Sequence, residues 1–247
     1  MSKAIGFVGL GVMGYPMAGH LSKKYKVSVF NRSSEKAENW ASEFSGNFCS
    51  SIKEVSEKSD ILILCVGNDL DVREIICKKD GAKDNLREGS IIVDHTTTSA
   101  DFCTELNKLA NSKNINFIDA PVSGGQSGAE SGKLSIMVGG DKGKFNEIED
   151  IFYTYSKFTK YMGESGSGQL TKMVNQICIA GLIQGLSEGM NFSEKVGLDA
   201  NKVVEVISKG AAQSWQMDNR WETMTKDFYD HGFAVDLMRK DLDIVIN

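Results

Sequence analysis

The chain has 247 residues, with 28 Lys or Arg against 33 Asp or Glu, and its net charge of −5 offers no basic surface for nucleic acid. No eighteen consecutive residues are apolar, which argues against a membrane span, and the first residues lack the pattern of a signal peptide. Five cysteines without Cys-x-x-Cys spacing and three histidines predict reduced thiols, no metal site and a cytoplasmic protein.

The first half of the chain alternates short apolar segments with helical patterns. Strands are predicted at residues 4–9, 26–31, 60–66, 90–94 and 115–120, and helices at residues 13–24, 35–44 and 100–112. Most of these strands are continuous runs of Ile, Val and Leu, as expected of parallel strands that are buried on both faces. Strands at residues 134–140 and 157–162, with a helix at residues 141–156 between them, are predicted to extend the sheet.

The second half contains no strand pattern. One helical pattern without proline covers residues 168–195, and shorter helices are predicted at residues 200–209, 214–225 and 234–246. A helix over residues 168–195 is roughly 40 Å long, given a rise of about 1.5 Å per residue. We therefore predict an α/β fold class, in which a doubly wound parallel sheet domain in residues 1–163 is joined by the long helix to an all-helical domain in residues 164–247.

Three glycines repeat every four residues within the long helix, at Gly181, Gly185 and Gly189. Each costs roughly 1 kcal/mol of helix stability relative to alanine. Such a stripe predicts the close approach of another helix, which can belong either to the same chain or to a second subunit.

A glycine-rich turn follows the first strand directly. Gly9, Gly11 and Gly14 form a Gly-x-Gly-x-x-Gly pattern that encloses Val12 and Met13 and precedes a helix. In this context the glycines allow a tight turn, a close approach of the backbone to a pyrophosphate, and packing of the helix on the strand. We therefore predict a Rossmann domain that binds a dinucleotide at these five residues. The alternative is a glycine-rich turn that binds no ligand.

The end of the second strand indicates which dinucleotide is bound. NAD sites usually have a carboxylate there, whereas this chain has Asn31, Arg32 and Ser33. The neutral amide does not repel a ribose 2′-phosphate, and the guanidinium and hydroxyl can bind one. NADP is therefore predicted, with NAD left as the alternative. In the competing interpretation, Arg32 is a solvated loop residue and Ser33 caps the next helix.

Two further strand ends meet the same edge of a parallel sheet, which is where ligands bind in this architecture. One carries Val66, Gly67 and Asn68, and the other carries Thr97. They are predicted to contact the ribose and the nicotinamide, although ordinary polar turn residues explain each of them equally well. His95, beside the second of these ends, is interpreted as a loop histidine.

Ser123, Gly124 and Gly125 follow the strand predicted at residues 115–120. A serine hydroxyl beside two exposed glycine N–H groups can form a small anion-binding concavity that suits a carboxylate. The predicted substrate is therefore a small molecule that bears a carboxylate. The alternative is a turn that only caps the following helix.

Lys172 lies in the first turns of the long helix, with Asn175 and Gln176 three and four residues later. These spacings place the three side chains on one helix face. An amine beside two amides can hold and titrate a substrate hydroxyl, so we predict Lys172 and Asn175 to be catalytic and Gln176 to bind substrate. The alternative is a solvated surface lysine. Apolar neighbours argue against it, because they predict a largely buried helix: Met173, Val174, Ile177, Cys178 and Ile179.

Four motifs occur in order and cover essentially the whole chain. They are residues 9–17 with Gly-Leu-Gly-x-Met-Gly-x-x-Met, residues 119–132 with Asp-Ala-Pro-Val-Ser-Gly-Gly, the segment 163–176, and Lys240-Asp241-Leu242. In these motifs the chain resembles the β-hydroxyacid dehydrogenases, which include 3-hydroxyisobutyrate dehydrogenases, tartronate semialdehyde reductases and glyoxylate/succinic semialdehyde reductases.

The resemblance implies hydride transfer between NADP(H) and a small β-hydroxyacid or semialdehyde. It places Ser123 and Gly124 at the substrate carboxylate, Lys172 as general acid/base, and Lys240 and Phe233 at the cofactor. It also implies a homo-oligomer, dimer or tetramer, whose helical domain binds substrate and dimerises. Members of this family normally continue past Lys-Asp-Leu, so the end at Asn247 is interpreted as a truncation of the helical domain.

Other functions remain as alternatives. A nonenzymatic cofactor-binding module predicts loss of the catalytic lysine, and an imine reductase-like enzyme usually lacks a lysine at this position. A full 6-phosphogluconate dehydrogenase carries a histidine where this chain has Asn175.

Overall fold

The computed structural model describes residues 3–229 and 235–246. These residues form two compact units that divide between Lys172 and Met173, within the long helix. The domain boundary expected after residue 163 stays a prediction.

A nine-stranded sheet organises the first unit. Its strands are β1 (Ala4–Val8), β2 (Lys26–Phe30), β3 (Asn47–Phe48), β4 (Ile61–Leu64), β5 (Ile91–Asp94), β6 (Asn116–Asp119), β7 (Val122–Ser123), β8 (Leu134–Gly140) and β9 (Ser156–Gly163). The strand order is β3-β2-β1-β4-β5-β6-β8-β7, and β9 pairs with β8. The helices of this unit are α1 (Gly14–Ser22), α2 (Ser34–Glu43), α3 (Ile52–Glu57), α4 (Asp69–Cys77), α5 (Ala82–Asn85), α6 (Ala100–Asn111), α7 (Gly125–Glu130) and α8 (Lys142–Phe152), followed by the start of α9 (Ser167–Lys195).

The apolar strands are buried on both faces, as their sequences predict. In β4, Ile61 and Ile63 belong to a hydrophobic cluster on one side of the sheet, and Leu62 and Leu64 belong to a cluster on the other side. All four side chains are at most 1 % exposed. Two buried faces require helices on both sides of the sheet, which is the doubly wound arrangement.

The sheet is parallel from β3 to β6 and mixed beyond that strand. β8 runs antiparallel to β6 and β7, whereas β9 runs parallel to β8. The predicted α/β fold class and the predicted far strands are confirmed, but the far strands reverse the direction of the sheet. Apolar periodicity did not reveal this reversal, because it fixes which residues are buried and not the direction of the strand. Several short elements, among them β3, α3 and α5, were not predicted since they lack an apolar period.

The second unit is helical over its described residues. It contains the rest of α9 together with α10 (Ala200–Ile207), α11 (Trp215–Thr225) and α12 (Val235–Ile246). Leu186 and Met190 of α9 pack with Val204 and Met217 in its small apolar core.

The glycine stripe of α9 faces open space. No atom of the described residues, apart from the helix's own backbone and adjacent residues, lies within 4 Å of the position that a Cβ would take at Gly181, Gly185 or Gly189. Within residues 3–229 and 235–246, the predicted helix partner in the same chain is therefore not found. The same residues contain no helix that is long and apolar enough to cross a membrane.

Candidate active site

The turn between β1 and α1 has the geometry of a phosphate-binding loop. Gly9 has φ of +97°, and a Cβ there would overlap the Cys65 carbonyl. A Cβ at Gly14 would overlap the Gly9 carbonyl, so both positions require glycine. Gly11, in contrast, is exposed with no atom within 4 Å of its Cβ position. The open backbone before the start of a helix fits the approach of a pyrophosphate.

An open hollow of about 260 Å³ lies beside this turn. Gly11 and Val12 line it together with Lys36 of α2, which the sequence interpretation did not single out. Val12 is 51 % exposed, whereas Met13 is partly buried. The predicted cofactor residues of the turn therefore lie close together. Among them, Gly11 and Val12 are accessible to a ligand.

Asn31 connects the end of β2 to the glycine-rich turn. Its Oδ1 accepts a hydrogen bond from the Leu10 N–H at 3.0 Å, and its Nδ2 donates to the Ser33 carbonyl at 3.2 Å. Both amide atoms thus support the backbone around the predicted nucleotide site. Direct contact of Asn31 with the cofactor stays a prediction.

Arg32 is paired with Asp71, a residue that the sequence interpretation missed. The guanidinium is 82 % exposed and lies 3.3 Å from Asp71 Oδ1. Asp71 Oδ2 accepts a hydrogen bond from the Gly67 N–H at 3.2 Å, and the Asn68 side chain accepts one from the Asp71 N–H. The predicted 2′-phosphate ligand Arg32 and the predicted contacts Gly67 and Asn68 are therefore linked through one carboxylate. Ser33 precedes α2, but its side chain makes no capping hydrogen bond.

The residues that end β5 are buried. His95 is 3 % exposed, its Nδ1 donates to the Ala120 carbonyl, and its Nε2 accepts from the Tyr155 hydroxyl at 2.9 Å. Burial lowers the pKa of His95 to about 4, which keeps the ring neutral. His95 is a residue of the loop after β5, as interpreted, but it lies in the core and not at the surface. Burial also raises the pKa of Asp94 to about 7.

The loop after His95 presents one threonine outward. Thr96 and Thr98 are buried, and Thr97 between them is partly exposed. The Thr96 hydroxyl accepts a hydrogen bond from the Val66 N–H at 3.1 Å, which joins the two predicted cofactor segments. Among these threonines, Thr97 is the one positioned to reach a ligand.

The predicted carboxylate-binding segment spans the end of β7 and the start of α7. Ser123 is partly buried, whereas Gly124 and Gly125 are exposed. Their φ angles of +137° and +62° lie in the left-handed region that favours glycine. The two glycines thus turn the backbone sharply beside the Ser123 hydroxyl, and their role in substrate binding stays a prediction.

Lys172 lies against this segment. Its side chain is buried, with 7 % exposure, and its Nζ donates to the Val122 carbonyl at 2.8 Å, directly before Ser123. The prediction of a largely buried helix is partly wrong, because Val174 and Ile177 are 60 % and 50 % exposed and Cys178 is exposed as well. Burial of the lysine comes from the neighbouring strand segment and not from an entirely buried helix.

The start of α9 is fixed by a second carboxylate that sequence reasoning missed. Asp119, at the end of β6, accepts hydrogen bonds from the Gly166 and Gln169 N–H groups at 2.7 and 3.1 Å. Burial raises the pKa of Asp119, and these backbone donors counteract the shift. Its position in the Asp-Ala-Pro-Val-Ser-Gly-Gly motif was the available signal.

In the second unit, Asn175 and Gln176 belong to a hydrogen-bonded chain. Asn175 Nδ2 donates to Gln176 Oε1 at 2.8 Å, and Gln176 Nε2 donates to the buried Asp241 at 2.7 Å. Lys240 Nζ lies 3.1 Å from Asp241 Oδ1. Both amide atoms of Gln176 therefore have protein partners, so substrate binding by this residue requires one of them to be exchanged. Phe233, the remaining predicted cofactor contact, lies outside the described residues.

A glycine-rich turn at the carboxyl end of β1, directly before a helix in a doubly wound sheet, is the arrangement of a nucleotide-binding domain. The family model described as the NAD binding domain of 6-phosphogluconate dehydrogenase matches residues 4–163. The model described as NAD-binding of NADP-dependent 3-hydroxyisobutyrate dehydrogenase matches residues 166–247. The chain belongs to the β-hydroxyacid dehydrogenase family.

Individual relatives support the same family assignment. An uncharacterized oxidoreductase of Shewanella frigidimarina is 50 % identical over 98 % of this chain and 84 % of its own length. The probable 3-hydroxyisobutyrate dehydrogenase-like 1 of Arabidopsis thaliana is 43 % identical over 98 % of this chain and 73 % of its own. The structure of Mycobacterium tuberculosis 3-hydroxyisobutyrate dehydrogenase with L-serine has a TM-score of 0.88 and 28 % identity, covering all of this chain and 86 % of that one. The chain is thus an NAD(P)-dependent dehydrogenase of the 3-hydroxyisobutyrate dehydrogenase type.

Proposed function

We propose that the protein transfers a hydride between NADP(H) and a small β-hydroxyacid or semialdehyde, with Lys172 as general acid/base. One observation carries this proposal. The Lys172 ammonium is buried and lies 2.8 Å from the Val122 carbonyl, directly before the segment Ser123–Gly125 that can bind a carboxylate. A titratable amine beside an anion-binding turn is the arrangement that proton transfer to a carboxylate-bearing substrate requires.

Each side chain has a distinct task in this proposal. A bound nicotinamide supplies or accepts the hydride. In carbonyl reduction, Lys172 donates a proton to the developing alkoxide, and in alcohol oxidation its neutral amine accepts the hydroxyl proton. The Ser123 hydroxyl and the N–H groups of Gly124 and Gly125 hold the substrate carboxylate. Asn175 orients Lys172 or the substrate, and Gln176 helps to hold the substrate.

Three observations support NADP over NAD. Arg32 is 82 % exposed at the end of β2, where a guanidinium can bind a 2′-phosphate, and Asn31 places no negative charge there. The family model for residues 166–247 describes an NADP-dependent enzyme. For a 2′-phosphate to bind Arg32, it has to replace the Asp71 carboxylate, which lies 3.3 Å from the guanidinium. Val66, Gly67, Asn68, Thr97 and Lys240 complete the proposed cofactor contacts.

The proposal is tested by following NADPH oxidation with methylmalonate semialdehyde, succinic semialdehyde, tartronate semialdehyde and glyoxylate. We expect turnover with at least one of these substrates, and a kcat/KM at least about tenfold lower when NADH replaces NADPH, because one charge-assisted phosphate contact is worth about 1.5–3 kcal/mol. Tight NADPH binding without turnover of any of them would favour the nonenzymatic module instead.

Arg32→Ala is the matched control for cofactor choice. We expect it to weaken NADPH use and leave NADH use within about threefold, since only the 2′-phosphate contact is lost. Equal efficiency of the unmodified enzyme with the two cofactors would contradict the role given to Arg32.

We further propose that residues 1–163 bind the cofactor, that residues 164–247 bind substrate and dimerise, and that the glycine stripe of α9 contacts a second copy of the chain. The open space at Gly185 supports the contact with a second copy. Leu182, which lies beside it and is 46 % exposed, supports it as well. Sedimentation equilibrium should show a dimer or tetramer, and Gly185→Leu should shift it toward monomer by filling the gap between helices. A monomer in the unmodified protein would contradict this assembly.

A further inference from the structure

The side chain of Gln169 bridges two parts of the first unit. It is fully buried in α9, three residues before Lys172. Its Nε2 donates to the Thr96 carbonyl at 2.7 Å, and its Oε1 accepts from the Thr98 N–H at 3.2 Å. These bonds flank Thr97, the partly exposed residue of the loop after β5. One amide therefore fixes the backbone on both sides of a proposed cofactor contact.

The backbone of the same residue is held from another direction. The Gln169 N–H donates to Asp119 at 3.1 Å, and three residues after Asp119 the Val122 carbonyl accepts from Lys172. The segment 119–122 thus contacts the start of α9 at two points, one of which is the lysine itself. A carboxylate at a helix N-terminus also stabilises the helix through its dipole.

The start of α9 is closely packed at two glycines, Gly168 and Gly139. A Cβ at Gly168 would lie 2.5 Å from the Met137 carbonyl oxygen and 2.7 Å from Asp119 Oδ2. A Cβ at Gly139 would lie 2.6 Å from Asp119 Oδ1 and 2.8 Å from the Gly168 nitrogen. The backbone at the start of α9 therefore packs directly against β8 and β6, with no side chain between them. Loss of the Gln169 hydrogen bonds would disturb this close contact.

We propose that Gln169 is a positioning residue, whose amide holds Lys172 at a fixed place relative to the loop Thr96–Thr98. Its catalytic consequence rests on the proposed role of Lys172 as acid/base. A displacement of about 1 Å in a reacting group can cost about 100-fold in rate, which is the scale on which such a bridge acts.

The first experiment needs no substrate. Lys172 and the exposed Lys157 are labelled with acetic anhydride, and their relative rates are read by mass spectrometry in the unmodified protein and in Gln169→Met. We expect the Lys172/Lys157 ratio to rise by about threefold or more in Gln169→Met, since local opening then exposes the amine. Gln213→Met, which removes an exposed side-chain bond to Asp218, should leave the ratio unchanged. An unchanged ratio in Gln169→Met would overturn the proposal even if the enzyme proves inactive.

The second experiment is a double-mutant cycle in the NADPH oxidation assay. Gln169→Met should lower kcat by about 10- to 100-fold in the unmodified background, and by less than about twofold in a Lys172→Ala background, because it acts through the lysine. Equal losses in both backgrounds would indicate a merely structural role and overturn the proposal.

A conservative variant covers the case in which Gln169→Met fails to fold. Gln169→Glu keeps the acceptor for Thr98 and regains a donor for Thr96 when its carboxyl is protonated. Its kcat relative to the unmodified enzyme should therefore rise as the pH falls, and a ratio independent of pH would count against the bridge. If Lys172→Ala is itself fully active, the proposed mechanism fails, whereas the labelling result for Gln169 stands by itself.

Discussion

We expect Lys172→Ala to reduce kcat/KM by about 10²–10⁴-fold in the NADPH oxidation assay, which is the range that general acid–base catalysis contributes. The substitution removes the proton donor that lies 2.8 Å from the Val122 carbonyl. It leaves the glycine-rich turn at Gly9–Gly14 intact, so the Kd of NADPH, measured by fluorescence quenching, should change by less than about threefold.

Two further variants sharpen this test. Lys172→Arg keeps a positive charge but cannot titrate near neutral pH, so we expect it to remain nearly as impaired as Lys172→Ala. Lys157→Ala, at an exposed position of β9, should behave as the unmodified enzyme. Activity of Lys172→Ala within about threefold of the unmodified enzyme would remove the lysine from the mechanism.

The second large effect concerns stability against pH, where Asp94 and His95 should act in opposite directions. Folding raises the pKa of Asp94 to about 7, from about 3.9 in an unfolded chain, so between these values the folded state holds a proton that the unfolded state has lost. The free energy of unfolding then falls as the pH rises. Folding lowers the pKa of His95 to about 4, from about 6.5, so between those values the free energy of unfolding rises with pH.

Urea unfolding at several pH values separates the two contributions. The free energy of unfolding of Asp94→Asn, relative to that of the unmodified protein, should rise by about 1.4 kcal/mol per pH unit between about pH 4 and pH 7, roughly 4 kcal/mol in all. That of His95→Gln, on the same comparison, should fall by about 1.4 kcal/mol per pH unit between about pH 4 and pH 6.5. Constant offsets from altered packing do not change these slopes. Parallel stability curves for all three proteins would show that neither group is shifted in the folded state.

Much of the fold was predictable because its strands are buried on both faces. The run Ile61–Leu64 has no polar alternation, and it forms a strand in contact with two hydrophobic clusters. The two-residue strand Asn47–Phe48 has no such signal, since both residues are exposed. Strand direction beyond β6 also left no trace in the sequence, because reversal of β8 preserves the alternation of buried positions.

The candidate site was predictable where chemistry is local in sequence. The glycines of the β1–α1 turn and the anion-binding segment at Ser123 need particular residues at particular spacings. The sequence analysis did not identify Asp71, Asp119 and Gln169 as site residues. Their hydrogen-bond partners lie 39, 47 and 71 residues away in the chain. A side chain that acts across such a separation has no spacing pattern with its partner, so for Asp119 the signal was only its place in the Asp-Ala-Pro-Val-Ser-Gly-Gly motif. Lys172 was predicted from the apolar residues around it, of which Met173 is buried whereas Val174 and Ile177 are exposed.

One edge of the sheet is formed by β9, a strand with features that oppose the addition of another strand. Within the described residues, β9 pairs only with β8, and the pairing shifts register at Leu134/Ser135 and again at Val138/Gly139. Lys157 and Lys160 are exposed along it. Irregular register and lysines on an outer strand both oppose edge-to-edge aggregation. The exposed backbone of β9 is thus protected against fibre-like growth of the sheet at this edge.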